Sequence, residues 1–202
     1  MNDFYQLSKT LQWIISLAFL LLGLFLAIFI IEQGSENLLI YAAFILYVPI
    51  SQFLYTPLFK LTGGYTYYSP MLLGYMANEQ QIDLHSGTSF DYLFVFRNQR
   101  AGVSLRNKLL MYHCEGFLHI ISQIENKRIP ESIQIVGTSY FFNERTLQKL
   151  GFQIEKASLF YRANLLINFI DLFWMYSLSR GKVSFPALWD AKKAAIKGDK
   201  LV

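Results

Sequence analysis

Two long uncharged stretches open this chain, and strand-like and helix-like segments alternate after residue 80. Together they predict a small α/β (α+β) membrane-proximal domain on an N-terminal two-helix transmembrane hairpin. A third observation agrees with this fold class: before Lys60 the only charged residues are Asp3, Lys9, Glu32 and Glu36. A length of 202 residues allows one compact domain plus an anchor. Charged residues make up 16%, against about 25% in ordinary soluble proteins.

The first uncharged stretch, residues 13–31, is dominated by Leu, Ile, Phe and Ala. At about 1.5 Å per residue it spans roughly 28 Å, close to a hydrocarbon core of about 30 Å. A cleavable leader would carry a basic start and an apolar run of only about 7–15 residues. Here Asp3 offsets Lys9, and the run ends at Glu32, so the expectation is an anchor over residues 11–31. The second stretch predicts a span over residues 37–56. It contains Tyr41, Tyr47, Pro49, Ser51 and Gln52, the mixture of a helix that packs on a neighbour. Pro49 should kink it and Pro57 should end it. The link at 32–36 carries two acids and no base, whereas Lys9 and Lys60 sit at the other end. The positive-inside rule therefore expects an integral protein of the plasma or inner membrane with both termini cytoplasmic.

Residues 58–80 read as an interfacial connector. Gly63 and Gly64 form a joint, and Tyr65, Tyr67, Tyr68, Met71, Leu72, Leu73, Tyr75 and Met76 follow without a charge until Glu79. A cytoplasmic α/β domain is expected over residues 81–160. It begins with a hairpin: strand 81–84, a turn at His85-Ser-Gly-Thr88, and an aromatic, β-branched strand at 90–96. A long helix should then start with Ser104 as its cap and stop at Pro130. Residues 132–136 alternate as a strand, Asn143 caps a helix over 144–150, Gly151 closes it, and 152–155 alternate again. Residues 161–202 are expected as amphipathic membrane-proximal helices. One covers 163–178 with Asn164, Asn168 and Asp171 on a polar stripe, and the tail carries Phe185, Leu188, Trp189, Lys192, Lys193 and Lys197.

The formal charge of +4 is scattered, without a basic run interleaved with aromatics, so no nucleic-acid partner is expected. The expected partners are the lipid bilayer and a membrane protein. A single cysteine, Cys114, excludes an internal disulfide. His113, Cys114, Glu115 and His119 are close in sequence but scatter around a helix, and no metal is expected. The densest polar cluster is Asp83, His85, Ser86, Ser89 and Asp91. Asp83, His85 and Asp91 are the candidate catalytic groups because, with the hydroxyls of Ser86 and Ser89, they supply the parts of hydroxyl-nucleophile catalysis.

Residues 92–156 carry a further pattern. A predicted strand runs into Gln99-Arg100-Ala-Gly102-Val-Ser104, a helix follows, then a strand, Asn143, and Leu150-Gly151-Phe152. This order resembles the central half of the N-acetyltransferase (GNAT) fold. In that family the turn opens a helix whose backbone amides hold the pyrophosphate of acyl-CoA. The resemblance implies acyl-CoA as a ligand, held by Gln99, Arg100, Gly102 and Ser104. Leu147 stands where the family has a tyrosine acid. Two readings follow. One is a non-enzymatic membrane protein whose cytoplasmic domain serves interaction or scaffolding and needs no cofactor. The alternative is a membrane-tethered, acyl-CoA-dependent acyltransferase.

Overall fold

The computed structural model describes residues 2–139 and 144–202. Two apolar helices come first, α1 (Lys9–Glu36) and α2 (Phe44–Leu61), with a short 3-10 helix at Leu38–Ala43 between them. α1, and the continuous helical segment Leu38–Leu61 that the 3-10 helix forms with α2, are long and apolar enough to cross a membrane. They pair where α1 has no side chain. A Cβ on Gly23 would lie 2.5 Å from the Tyr55 ring and one on Gly34 2.5 Å from Tyr41, so glycine lets the backbones close up. The Tyr47 hydroxyl donates to the Gly23 carbonyl at 3.2 Å. Pro57 does not end α2, which runs on to Leu61.

The rest is a mixed α/β domain on a six-stranded sheet: β1 (Tyr65–Ser69), β2 (Leu72–Tyr75), β3 (Gln81–Ser86), β4 (Gln134–Ser139), β5 (Gln153–Lys156) and β6 (Lys192–Lys197). The spatial order is β1-β2-β3-β4-β6-β5. Among the described strands only β3 and β4 pair in parallel, and α4 (Val103–Glu125) lies between them in the chain. Period-2 alternation sends Ile82, Leu84, Ile133, Ile135, Ala194 and Ile196 to one face, where Ile120 and Ile124 of α4 cover them. A second cluster joins α3 (Ser89–Phe96), the first half of α4 and α7 (Phe169–Arg180) through Tyr92, Phe96, Leu105, Leu109 and Trp174.

Several expectations are corrected. The connector at 58–80 is not a mere link: it contains β1 and β2, with Leu72 and Leu73 buried. Residues 90–96 are helix α3, not a strand, because Thr88 and Asp91 form a reciprocal capping box at its start. Gly102, not Ser104, is the cap of α4. Residues 163–178 are not one helix: α6 (Leu159–Ile167) and α7 meet at Asn168. The tail is not an amphipathic helix. Its 192–197 segment is β6, inserted between β4 and β5, and sheet pairing there overrides the helix propensity of Ala and Lys. The long helix after Gly102, the strand near 132–136, the helix α5 (Glu144–Lys149), the left-handed Gly151 and the strand after Phe152 follow the sequence. The Asn143 cap lies outside the described residues.

Candidate functional site

Asp83 and His85 sit two apart on β3, so both side chains leave the sheet on the face opposite α4. The ladder joining β3 to β4 runs from Gln81↔Gln134 to Leu84↔Gly137 and stops there. Both strands continue. His85 and Ser86 stay paired to Leu73 and Leu72 of β2, and Thr138 and Ser139 stay paired to Lys193 and Lys192 of β6. Past Leu84↔Gly137 the two parallel strands have no further paired positions with each other. Such a place, beyond the carboxyl ends of parallel strands, is where open α/β sheets bind ligands.

Polar groups collect there. The Tyr161 hydroxyl of α6 donates to Asp83 Oδ2 at 2.9 Å, and His85 Nε2 lies 3.5 Å from the same oxygen. Burial pushes the Asp83 carboxyl up, but His85, Tyr161 and the charge of Lys193 outweigh it and hold the group below its ordinary range. Burial, then the Asp83 charge, raises the Tyr161 hydroxyl. Asp83 Oδ1 and, on the same helix as Tyr161, Arg162 Nε are buried without a hydrogen-bond partner among the described residues, while the Thr138 hydroxyl lies beside that of Tyr161. Native proteins leave few such atoms, so their presence in one region marks a place prepared for a ligand or water. A cavity of about 430 Å3, lined by Tyr75, Gln81, Asp83 and Gln134 among others, opens on the other side of Asp83, at the amino ends of β3 and β4, within the usual size of small-molecule sites.

Other candidates go elsewhere. Asp91 does not join Asp83 and His85. It is fully buried at the start of α3 and accepts from Asn2 Nδ2 (3.3 Å), the Tyr67 hydroxyl (2.7 Å) and Thr88 (3.0 Å from both amide and hydroxyl). His113 Nε2 lies 3.3 Å from the Ser86 hydroxyl, and burial lowers its imidazole to about 4. His119 meets the Tyr68 carbonyl, and Cys114 is exposed. No metal-binding group of His, Cys, Asp and Glu forms among the described residues.

The turn at 99–104 is built into the fold. Gly102 has φ +92°, and its amide donates to the Leu178 carbonyl at 2.7 Å. Gly181 backs onto it so closely that a Cβ there would lie 2.9 Å from the Gly102 Cα. Ser104 Oγ reaches Gln99 Oε1 at 3.5 Å, while Arg100 is exposed. Ten residues of α4 separate Val103 from His113, which reaches the end of β3, so the turn lies about 15 Å of helix from that strand end.

Sequence reasoning missed Tyr161 and Thr138. The bond from Tyr161 to Asp83 bridges 78 positions, and no local pattern announces it. The capping pair Thr88-x-x-Asp91 was a readable signal for α3. No protein-family model, no curated protein and no solved structure matches this chain.

Proposed function

We propose that this chain is an integral membrane acyltransferase of the N-acetyltransferase type. In this reading α1 and α2 span the bilayer, both termini are cytoplasmic, and the domain works at the inner surface. The observation that carries the proposal is the end of β3–β4 pairing at Leu84↔Gly137 beside the linked side chains of Asp83, His85 and Tyr161. The chain order strand, crossing helix, parallel strand, helix, strand adds support, although α3 intervenes where the resemblance has none.

Acyl-CoA asks two things of a protein: an edge for its amide-bearing arm and donors for its pyrophosphate. The stretches His85–Ser86 and Thr138–Ser139, unpaired with each other, fit the first. The turn at 99–104 does not fit the second, because Gly102 spends its amide on Leu178 and the turn stands a helix length away. No step is assigned to it. When bound, the donor supplies an activated acyl group. His85 Nδ1 would take the acceptor's proton as the acceptor attacks the thioester carbonyl and would pass it to the departing CoA thiolate. Nε2 keeps its own proton toward the Asp83 carboxylate, 3.5 Å away, which stabilises the charged imidazole. Tyr161 fixes the carboxylate by its hydrogen bond.

The test is thermal melting of the detergent-solubilised chain with CoA and acetyl-CoA. Saturation at about 100 times Kd should stabilise the fold by about 2.7 kcal/mol. His85→Ala should keep the shift and lose turnover. If no CoA species raises the melting temperature, the acyltransferase is withdrawn. The second reading, a non-enzymatic domain held against the inner leaflet for interaction with a membrane protein, is favoured by one observation: the Gly102–Gly181 contact makes the resembling turn a structural joint.

A further inference from the structure

Helix α6 is bare and apolar on its outer side. Its exposed positions are Leu159, Phe160, Ala163, Asn164, Leu166 and Ile167, none of them charged. Leu159 and Phe160 are 82% and 81% exposed. A helix that borders water carries charged and polar residues on that side. The inner side is committed to the fold, where the Tyr161 hydroxyl reaches Asp83 at 2.9 Å.

What lies outside α6 follows from where α2 ends. Residues opposite each other in a ladder share a face, so Tyr65, Tyr75 and Asp83 point the same way, away from α4. The end of α2 rests on that face. Phe59 packs on Tyr65 and Tyr75 with ring centroids 5.4 and 6.5 Å away, and Lys60 Nζ lies 4.8 Å from the Tyr67 ring. α6 lies on the same face, beside the helix that leads into the bilayer. The uncharged runs 10–31 and 37–59 measure about 33 and 34 Å as helix, so a hydrocarbon core of about 30 Å takes them and leaves Lys9, Glu32, Glu36 and Lys60 outside. Gln52 then stands about 12 Å of helix below Lys60, inside the leaflet. Its amide donates to Asn168 Oδ1, at the joint of α6 and α7. Asn168 Nδ2 donates in turn to the Asn164 carbonyl at 2.8 Å and to Asn164 Oδ1 at 3.1 Å. Asn164 is the polar residue among the exposed positions of α6, and this relay of amides gives its oxygens donors without water, as hydrocarbon demands.

We propose that α6 is embedded in the cytoplasmic leaflet, its outer face against acyl chains and the joint at Asn168 its deepest point. Resting on the reading of α1 and α2 as spans, this makes α6 a third membrane element, one that enters and does not cross. Because Tyr161 projects from the inner side of the same helix, the Asp83–His85 pair stands about one helix diameter, roughly 10 Å, from the acyl chains.

The test places the full chain, in a Cys114→Ser background, in phosphatidylcholine nanodiscs with nitroxide labels on single cysteines. Ile167→Cys and Phe160→Cys report on α6, Leu21→Cys on the bare face of α1, and Glu125→Cys on the exposed end of α4. Collision with oxygen, which concentrates in hydrocarbon, is compared with collision with a polar nickel chelate. The oxygen-to-nickel ratio at Ile167→Cys and Leu21→Cys should exceed that at Glu125→Cys about tenfold, because leaving water is costly for a polar chelate. Phe160→Cys, nearer the surface, should fall between. A nickel-accessible Ile167→Cys beside a protected Leu21→Cys overturns the embedding of α6 and leaves the spans standing. Labels on α6 that neither reagent reaches show a second copy covering this face, and overturn it as well. A nickel-accessible Leu21→Cys overturns the spans and the embedding with them.

Discussion

Asp91 shows how much of this fold depends on single buried polar groups. Four hydrogen bonds reach its carboxyl from Asn2, Tyr67 and Thr88, tying the N-terminal residues, β1 and α3 together. Burial still raises it above the ordinary carboxylate range. Its stabilising contribution is therefore present at low pH and is lost as pH rises through the raised value. Asp91→Ala removes a helix cap and strands buried donors, so it should cost about 3 kcal/mol, read as a lower melting temperature in detergent. His113 behaves in the opposite sense. Its imidazole is lowered from 6.5 to about 4 by burial, so between those values the unfolded chain takes a proton that the folded chain refuses. Stability should fall as pH drops from about 6.5 to about 4, and His113→Gln should flatten that part of the pH profile.

Among the elements, β6 matters most. It pairs with β4 on one side and β5 on the other, and Ala194 and Ile196 enter the main core. Ala194→Asp would bury an unpaired charge in the middle of the sheet and should leave no cooperative melting transition. The same substitution in a surface helix, as the tail alone suggests, would be nearly silent, so circular dichroism melts separate the two assignments. α3 teaches a related lesson. Its aromatic, β-branched composition reads as a strand, yet Thr88 caps it, and Phe90–Phe94 and Tyr92–Phe96 pack at helical spacing. Propensity lost to capping and packing.

For the molecule as a whole, the arrangement of two apolar helices and one sheet makes the proposed orientation testable with its own cysteine. Cys114 is exposed on α4. In intact cells a membrane-impermeant maleimide should miss Cys114 until the cells are opened. In a Cys114→Ser background, Ser35→Cys in the short link should react from outside at once. Reaction of native Cys114 in sealed cells would invert the orientation and remove the cytoplasmic site.

The apolar helices, the long helix after Gly102, and the run from β4 through Gly151 to β5 were readable because each is specified locally, by length, period or a turn glycine. Of the candidate site, the sequence offered Asp83 and His85 as neighbours but ended the strand at residue 84 with His85 in a turn; β3 runs on to Ser86 and so puts both on one face. Their partners were not readable. Periodicity tells which face a side chain takes but not which strand lies beside it, and β1, β2 and β6 became strands by pairing across the sheet. Tyr161 meets Asp83 and Thr138 only after closure of long loops whose entropy is offset by the core as a whole. That is a property of the packed chain, and no short stretch of it carries the information.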